Sequence, residues 1–166
     1  ITEVKDGTLH VYMKKNNWFN WGGNKTKKAY VTVKELNAIS ASSGSDVKSE
    51  NTLKGESIEI EASSGSDVEL ELVYKNVSVN TSSGSDAKLS GKTKTLTADA
   101  SSGSDINARE LESSICHVRV SSGSDATVNA TDEIYAKASS GADVRYYGNP
   151  GVKETDESSG GDISRR

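Results

Sequence analysis

Apolar and polar residues alternate on both sides of a short phrase, Ser-Ser-Gly-x-Asp, that recurs along the chain. Apolar residues prevail seven, five and three residues before the glycine, and three and five residues after it. In the fourth copy these positions hold Leu96, Ala98, Ala100, Ile106 and Ala108. A period of two is typical of a β-strand with one buried face. The pattern therefore predicts strands that turn these positions toward a core.

The spacing of the phrase predicts how the strands are connected. Seven copies follow one another at intervals of 21, 19, 19, 20, 18 and 19 residues. A constant period of this size is typical of stacked repeats. Local hairpins would need a turn signal about every 8–12 residues. We therefore predict an all-β, single-chain parallel β-helix (a solenoid) of about seven coils of 18–21 residues. Right-handed connections are favoured.

The phrase itself is predicted to form the structural corner of each coil. Glycine permits a positive φ, and serines can satisfy backbone groups at a bend. The predicted corner residues are Gly44, Asp46, Gly65, Asp67, Gly84, Asp86, Gly103, Asp105, Gly123, Asp125, Gly141, Asp143, Gly160 and Asp162.

The two ends depart from the repeat. Residues 1–40 are predicted to form strands near 8–13 and at 29–33, with a polar capping loop between them. These residues are predicted to belong to the same domain as the repeats of residues 41–166. In the last copy Lys153, Thr155 and Glu157 occupy positions that are apolar elsewhere. Repeat proteins need atypical ends to protect their edges. Both ends are therefore predicted to be caps.

Composition narrows the functional classes. The chain of 166 residues has a net charge of −4, which argues against nucleic-acid binding, and a single cysteine, Cys116, which excludes an internal disulfide. Cys116 is predicted to be a buried apolar residue of one ladder. The chain contains no run of about 18 apolar residues, so the sequence predicts no membrane span.

The corners, the starting phrase DGTLHV, the phrase YVTVKELNAIS and the late phrase YYGNP before SSGGD together resemble the auto-transporter adhesin head GIN domain. The resemblance covers essentially the whole chain. It implies a β-helix-like fold and a secreted, periplasmic or cell-surface protein of a Bacteroidetes-like bacterium. In that family further strands usually precede this start, whereas here Ile1 stands only six residues before Gly7. The family's N-terminal strands are therefore expected to be incomplete.

The aspartates of the corners are predicted to form a ladder that has two interpretations. Stacked about 4.8 Å apart, their carboxylates would repel one another, so a compensating interaction is required. In the first interpretation each aspartate accepts hydrogen bonds within its own corner. In the second the ladder binds Ca²⁺, which prefers carboxylate and carbonyl oxygens. The first is preferred, so no cofactor is predicted.

Two aromatic groups are candidate ligand or partner residues. Trp18, Phe19 and Trp21 lie in the N-terminal loop, and Tyr146 and Tyr147 precede the last corner. Exposed rings can stack on sugars or on a partner. The alternative is that the first group folds over the end of the solenoid and seals its core. No catalytic or metal-binding residues are predicted.

The sequence favours a non-enzymatic envelope or secreted module, either an adhesin or a structural protein, that meets a surface glycan or protein. The basis is a regular solenoid without a catalytic cluster. One alternative is a polysaccharide-acting β-helix enzyme, which would need an irregular cluster of Asp, Lys and Arg beside a long loop. Another is a Ca²⁺-stabilised spacer. Self-association is compatible with each.

Overall fold

The fold was obtained as a computed structural model, which describes residues 1–13 and 27–166. Its contacts divide into two compact units, Ile1–Lys34 and Glu35–Arg166. All regular elements of these residues are β-strands. No segment of the described chain forms a helix with the length and apolarity needed to cross a membrane.

The first unit contains an antiparallel hairpin of β1 (Thr2–Lys5) and β2 (Thr8–Val11). Asp6 and Gly7 link the strands and both have positive φ, as a tight hairpin turn requires. The strand predicted near 8–13 is therefore present, although it ends at Val11. The strand predicted at 29–33 is absent. Among the described residues no strand pairs with that segment, and alternation alone does not stabilise an unpaired strand.

The second unit is a parallel β-solenoid of about seven turns, which confirms the predicted fold class. Most coils contain one long strand that bends around the core and stops at the next corner. The strands are β3 (Ala38–Ser42), β4 (Asp46–Lys48), β5 (Leu53–Ser63), β6 (Asp67–Ser82), β7 (Asp86–Ser101), β8 (Asp105–Val120), β9 (Asp125–Ser139), β10 (Asp143–Tyr147), β11 (Val152–Ser158) and β12 (Asp162–Arg165).

The register places equivalent residues of successive coils side by side. Leu96 pairs with Cys116, and Cys116 pairs with Ile134. The same rule holds for the other inward positions, so the core consists of ladders of aliphatic side chains. Its largest fully buried members are Ile58, Ile60, Leu72, Leu89, Leu96, Ile106, Leu111, Ile134, Val68, Val77, Val79 and Val120.

Register shifts accommodate the unequal coil lengths, with one shift between β7 and β8 and two between β8 and β9. The register between β7 and β8 shifts after Lys88, and Arg109 is the extra residue that results. A shift of this kind is a β-bulge. In β7, Gly91 has φ of +109°, and a Cβ atom there would overlap the carbonyl oxygen of Leu72 on the preceding coil. Glycine is therefore required at this position for the two coils to approach.

In the terminal coil polar residues occupy positions that are apolar in the other coils, as the sequence predicts. Strand β11 pairs with β9 so that Lys153 lies beside Ile134, Thr155 beside Ala136 and Glu157 beside Ala138. Every residue of β11 is exposed. The ladders that run from β9 to β11 thus end in polar side chains, whereas the ladder through Val144 of β10 ends in Ile163 of β12.

Candidate functional site

Each corner is a tight bend in which the second serine and the glycine both have positive φ. At the middle corner φ is 59° at Ser102 and 65° at Gly103. Positive φ at both central residues is the feature of a type I′ turn. All seven corners share it, although a residue other than glycine loses about 1 kcal/mol in this conformation.

In the first five corners the serine that follows the glycine closes the bend, whereas Ala142 and Gly161 stand at this position in the last two. Ser104 is buried, accepts a hydrogen bond from the backbone N–H of Ser101 at 3.2 Å and donates to the carbonyl of Ser101 at 2.9 Å. Ser66 also links coils, since its hydroxyl donates to the carbonyl of Ala41 at 3.0 Å. Ser85 and Ser124 link coils in the same way, and Ser45 bonds within its own corner. These serines satisfy backbone groups that the bend leaves without ladder partners.

The seven aspartates form the expected continuous ladder, because each pairs in register with the next. Their carboxylates do not cap their own corners. Their backbone hydrogen bonds run between coils, since the N–H of Asp125 donates to Asp105 at 3.2 Å and the N–H of Asp105 donates to Asp86. The capping role expected of the aspartates belongs instead to the serines.

The charges of the ladder are compensated in part by one arginine. Arg145 lies 3.2 Å from the carboxylate of Asp125 and 3.1 Å from that of Asp143. Toward the middle, partial burial raises the pKa of Asp86, and the charges of Asp105 and Asp67 raise it further. No group of three or more acidic, histidine or cysteine side chains in residues 1–13 and 27–166 is arranged to hold a metal ion.

The aromatic candidates differ in where they lie and in how far they are exposed. Trp18, Phe19 and Trp21 lie outside the described residues. Tyr146 is only 2% exposed, since its position five residues after the glycine belongs to an inward ladder, so it presents no surface to a ligand. Tyr147 is partly exposed, and the guanidinium of Arg109 lies 4.5 Å from its ring centroid.

A different aromatic pair lies on the outside of the solenoid. His117 of β8 and Tyr135 of β9 are register neighbours, and their rings stack with centroids 4.9 Å apart at an interplanar angle of 15°. The hydroxyl of Tyr135 donates to Glu133 at 2.9 Å. This hydrogen bond is the main cause that raises the pKa of Tyr135, so the phenol stays protonated.

Beside the rings runs a parallel row of charged residues two positions further along each strand. Arg119 lies 3.5 Å from Asp99, and Lys137 lies 3.3 Å from Asp156. The two rows form the walls of a groove of about 400 Å³ that extends across four coils. We call it the axial groove. Its lining residues are Thr97, Asp99, His117, Val118, Arg119, Tyr135, Ala136, Lys137, Glu154, Thr155 and Asp156.

The family described as "Putative auto-transporter adhesin, head GIN domain" matches residues 1–150. The chain belongs to this family. Its fold recurs in a "putative adhesin" from Bacteroides fragilis NCTC 9343, with a TM-score of 0.84 and 24% identity over 100% of this chain and 76% of that one. No curated protein matches the chain.

A second solved structure extends the fold comparison of this head GIN domain. It is a "putative lipid binding protein" from Parabacteroides distasonis ATCC 8503, with a TM-score of 0.67 and 17% identity. The match covers 78% of this chain and 56% of that chain. At these identities both structures establish the fold alone.

Sequence reasoning for this head GIN domain missed the axial groove, although the columns contained a signal. Counted back from each glycine, the sixth position is Thr97, His117, Tyr135 and Glu154 in successive coils. Two rings in one outward column of adjacent coils must lie beside each other in a parallel ladder. The prediction of the fold rests on the inward columns, and these do not contain Tyr135.

Proposed function

We propose that the chain is a non-enzymatic module of the bacterial envelope or extracellular space that attaches to a glycan or a protein on a surface. The observation that supports this most is the axial groove, where an aromatic wall and a wall of ion pairs stand on a regular parallel sheet. Aromatic rings and ionisable groups on a rigid scaffold suit recognition. Membership in an adhesin-type family supports the same role.

The rigidity of the scaffold contributes to the proposal. Val118 lies in β8, which is paired with β7 on one side and β9 on the other, and Ala136 lies in β9, which is paired with β8 and β11. The floor of the groove therefore has both backbone edges bonded. A site on such a floor needs little ordering upon binding, which lowers the entropic cost of association.

The proposal is tested with the intact protein on arrays of immobilised glycans and extracellular proteins. We expect retention on at least one surface. Replacing His117 and Tyr135 together by alanine should reduce that retention at least fivefold. A Trp18→Ala/Trp21→Ala variant tests the N-terminal aromatic candidates in parallel. Lys88→Ala, which alters a charged residue outside the groove, is the matched control and should retain binding.

Two results would contradict the proposal. One is the absence of retention on every surface. The other is the appearance of new reducing ends when the protein is incubated with polysaccharides, since this would indicate the enzyme alternative.

A further inference from the structure

We propose that the axial groove binds a linear, uncharged oligosaccharide that lies parallel to the solenoid axis. This inference rests on the proposed attachment function and names the ligand class of its site. The groove follows successive coils rather than a single strand, because Thr97, His117, Tyr135 and Glu154 come from four coils in register. It therefore fits a ligand that repeats along the stack.

The dimensions of the groove suit a chain of sugar rings. Neighbouring strands of a sheet lie about 4.8 Å apart, so four coils span about 14 Å, the length of roughly three pyranose rings. The exposed parts of the His117 and Tyr135 rings offer an apolar surface to the C–H groups of a sugar. Each aromatic residue lies on its own coil, so the apolar contacts recur at the spacing of the coils.

The other wall carries ionic hydrogen-bonding groups that are open to solvent. The Arg119–Asp99 and Lys137–Asp156 pairs each combine donors with acceptors, at separations of 3.5 Å and 3.3 Å. A sugar hydroxyl both donates and accepts, so adjacent hydroxyls of one ring can bond to the two members of a pair. Hydrogen bonds that involve charged groups are stronger than neutral ones.

The charge of the groove disfavours polyanions. Its cationic groups are Arg119 and Lys137, and each already faces a carboxylate. One further carboxylate, Glu154, lies in the aromatic row. With two cations against three carboxylates in the lining, a polyuronate, a sulfated glycan or a nucleic acid would meet net repulsion.

The sheet floor disfavours an extended peptide. Peptides that join a sheet gain their affinity from unpaired backbone groups at an edge. Here the floor strands β8 and β9 are hydrogen-bonded on both sides. Only side chains remain to bind a ligand, and their mixture of rings and paired charges matches a sugar better than a polypeptide backbone.

The test is a titration of the intact protein with cellotetraose, xylotetraose, maltotetraose and mannotetraose, followed by calorimetry and by NMR of the His117 and Tyr135 ring signals. Tetragalacturonate serves as the anionic probe, and chitosan tetramer serves as the cationic one. We expect at least one neutral tetrasaccharide to shift both ring signals. The corresponding monosaccharide should bind at least tenfold more weakly, because it reaches only one coil.

Variants separate the groove from the rest of the surface. Tyr135→Ala should weaken binding of the neutral tetrasaccharide at least tenfold, and Arg119→Gln should weaken it several-fold. Tyr30→Ala, which removes an exposed tyrosine that does not line the groove, should leave the affinity unchanged. Circular dichroism of each variant should show the same strand content and melting behaviour as the parent protein.

The inference is wrong if no neutral tetrasaccharide binds, if a charged probe binds more tightly, or if Tyr135→Ala leaves the affinity unchanged. Its failure differs from that of the proposed function. Retention on surfaces without tetrasaccharide binding would leave the attachment role intact and remove only the ligand assignment. Tetrasaccharide binding without retention on any surface would do the reverse.

Discussion

Leu96 and Cys116 are adjacent rungs of one buried ladder, and neither side chain is accessible to solvent. Burial raises the pKa of the Cys116 thiol to about 12. We therefore expect Cys116 to react with a thiol reagent at neutral pH only after the protein is unfolded. Labelling followed by mass spectrometry, with and without denaturant, checks this. Rapid labelling of the native protein would contradict the register of β8.

The same thiol makes a pH-dependent contribution to stability. Its pKa in the folded state lies above its ordinary value of 9.0, so the folded protein holds this proton more tightly than the unfolded chain. The contribution is fully present below about pH 9 and is lost as the pH rises toward 12. Cys116→Ala should remove this dependence and cost about 1 kcal/mol near neutral pH, since alanine already occupies other inward positions. Chemical denaturation of both proteins between pH 7 and pH 11 measures the difference.

Leu96→Asp should destabilise the solenoid severely. The new carboxylate would lie between Val77 and Cys116, where no cation is available to pair with it. Leu96→Met preserves the volume and should cost less than about 1.5 kcal/mol. Thermal melts of the soluble fractions compare the two. A normal melt for Leu96→Asp would place this residue outside the core.

The different roles of the serine and the aspartate in each corner can be tested at the middle copy of the repeat. Ser104→Ala removes the hydroxyl that bonds Ser101 and should cost about 1 kcal/mol or more, because a buried N–H and a carbonyl lose their partner. Asp105→Asn should be close to neutral, since an amide oxygen can still accept from Asp125 and one repulsive charge is removed. Urea denaturation of both variants gives the comparison. A larger loss for Asp105→Asn would restore the capping role of the aspartates.

Calcium provides a separate test of the aspartate ladder. If no cation is bound, the melting temperature should be the same in chelator and in millimolar Ca²⁺. A ligand that binds only the folded state would raise it in a concentration-dependent way. A rise that disappears in Asp105→Asn would favour the Ca²⁺-stabilised spacer over the present interpretation.

Gly91 and Gly103 both have positive φ but differ in their surroundings. A side chain at Gly91 would collide with the backbone of Leu72, whereas a Cβ at Gly103 would meet no atom within 4 Å. Gly91→Ala should therefore cost well over 1 kcal/mol, and Gly103→Asn should be mild, because asparagine tolerates the left-handed conformation. Equal melting temperatures for the two variants would contradict the close approach of β6 and β7.

Much of the fold could be predicted because every coil repeats one alternation. Leu96 and Ser104 are separated by an even number of positions, so the alternation that buries Leu96 also turns Ser104 inward and Asp105 outward. The serine caps were therefore predictable in principle. The same alternation places Tyr146 in an inward column, which argues against its prediction as a ligand residue. The position of the Arg109 bulge was not predictable, because the coil length does not reveal where the extra residue leaves the ladder. The axial groove required outward columns to be compared across coils.

The polar side chains of the last coil have a consequence for assembly. The unpaired backbone groups of an exposed solenoid coil can pair with a coil of another molecule. Repeated addition of this kind would give a fibre. At Lys153, Thr155 and Glu157 an incoming coil would have to bury an ammonium and a carboxylate in place of an aliphatic rung. We therefore expect these three side chains to oppose the addition of a coil from another molecule along β11.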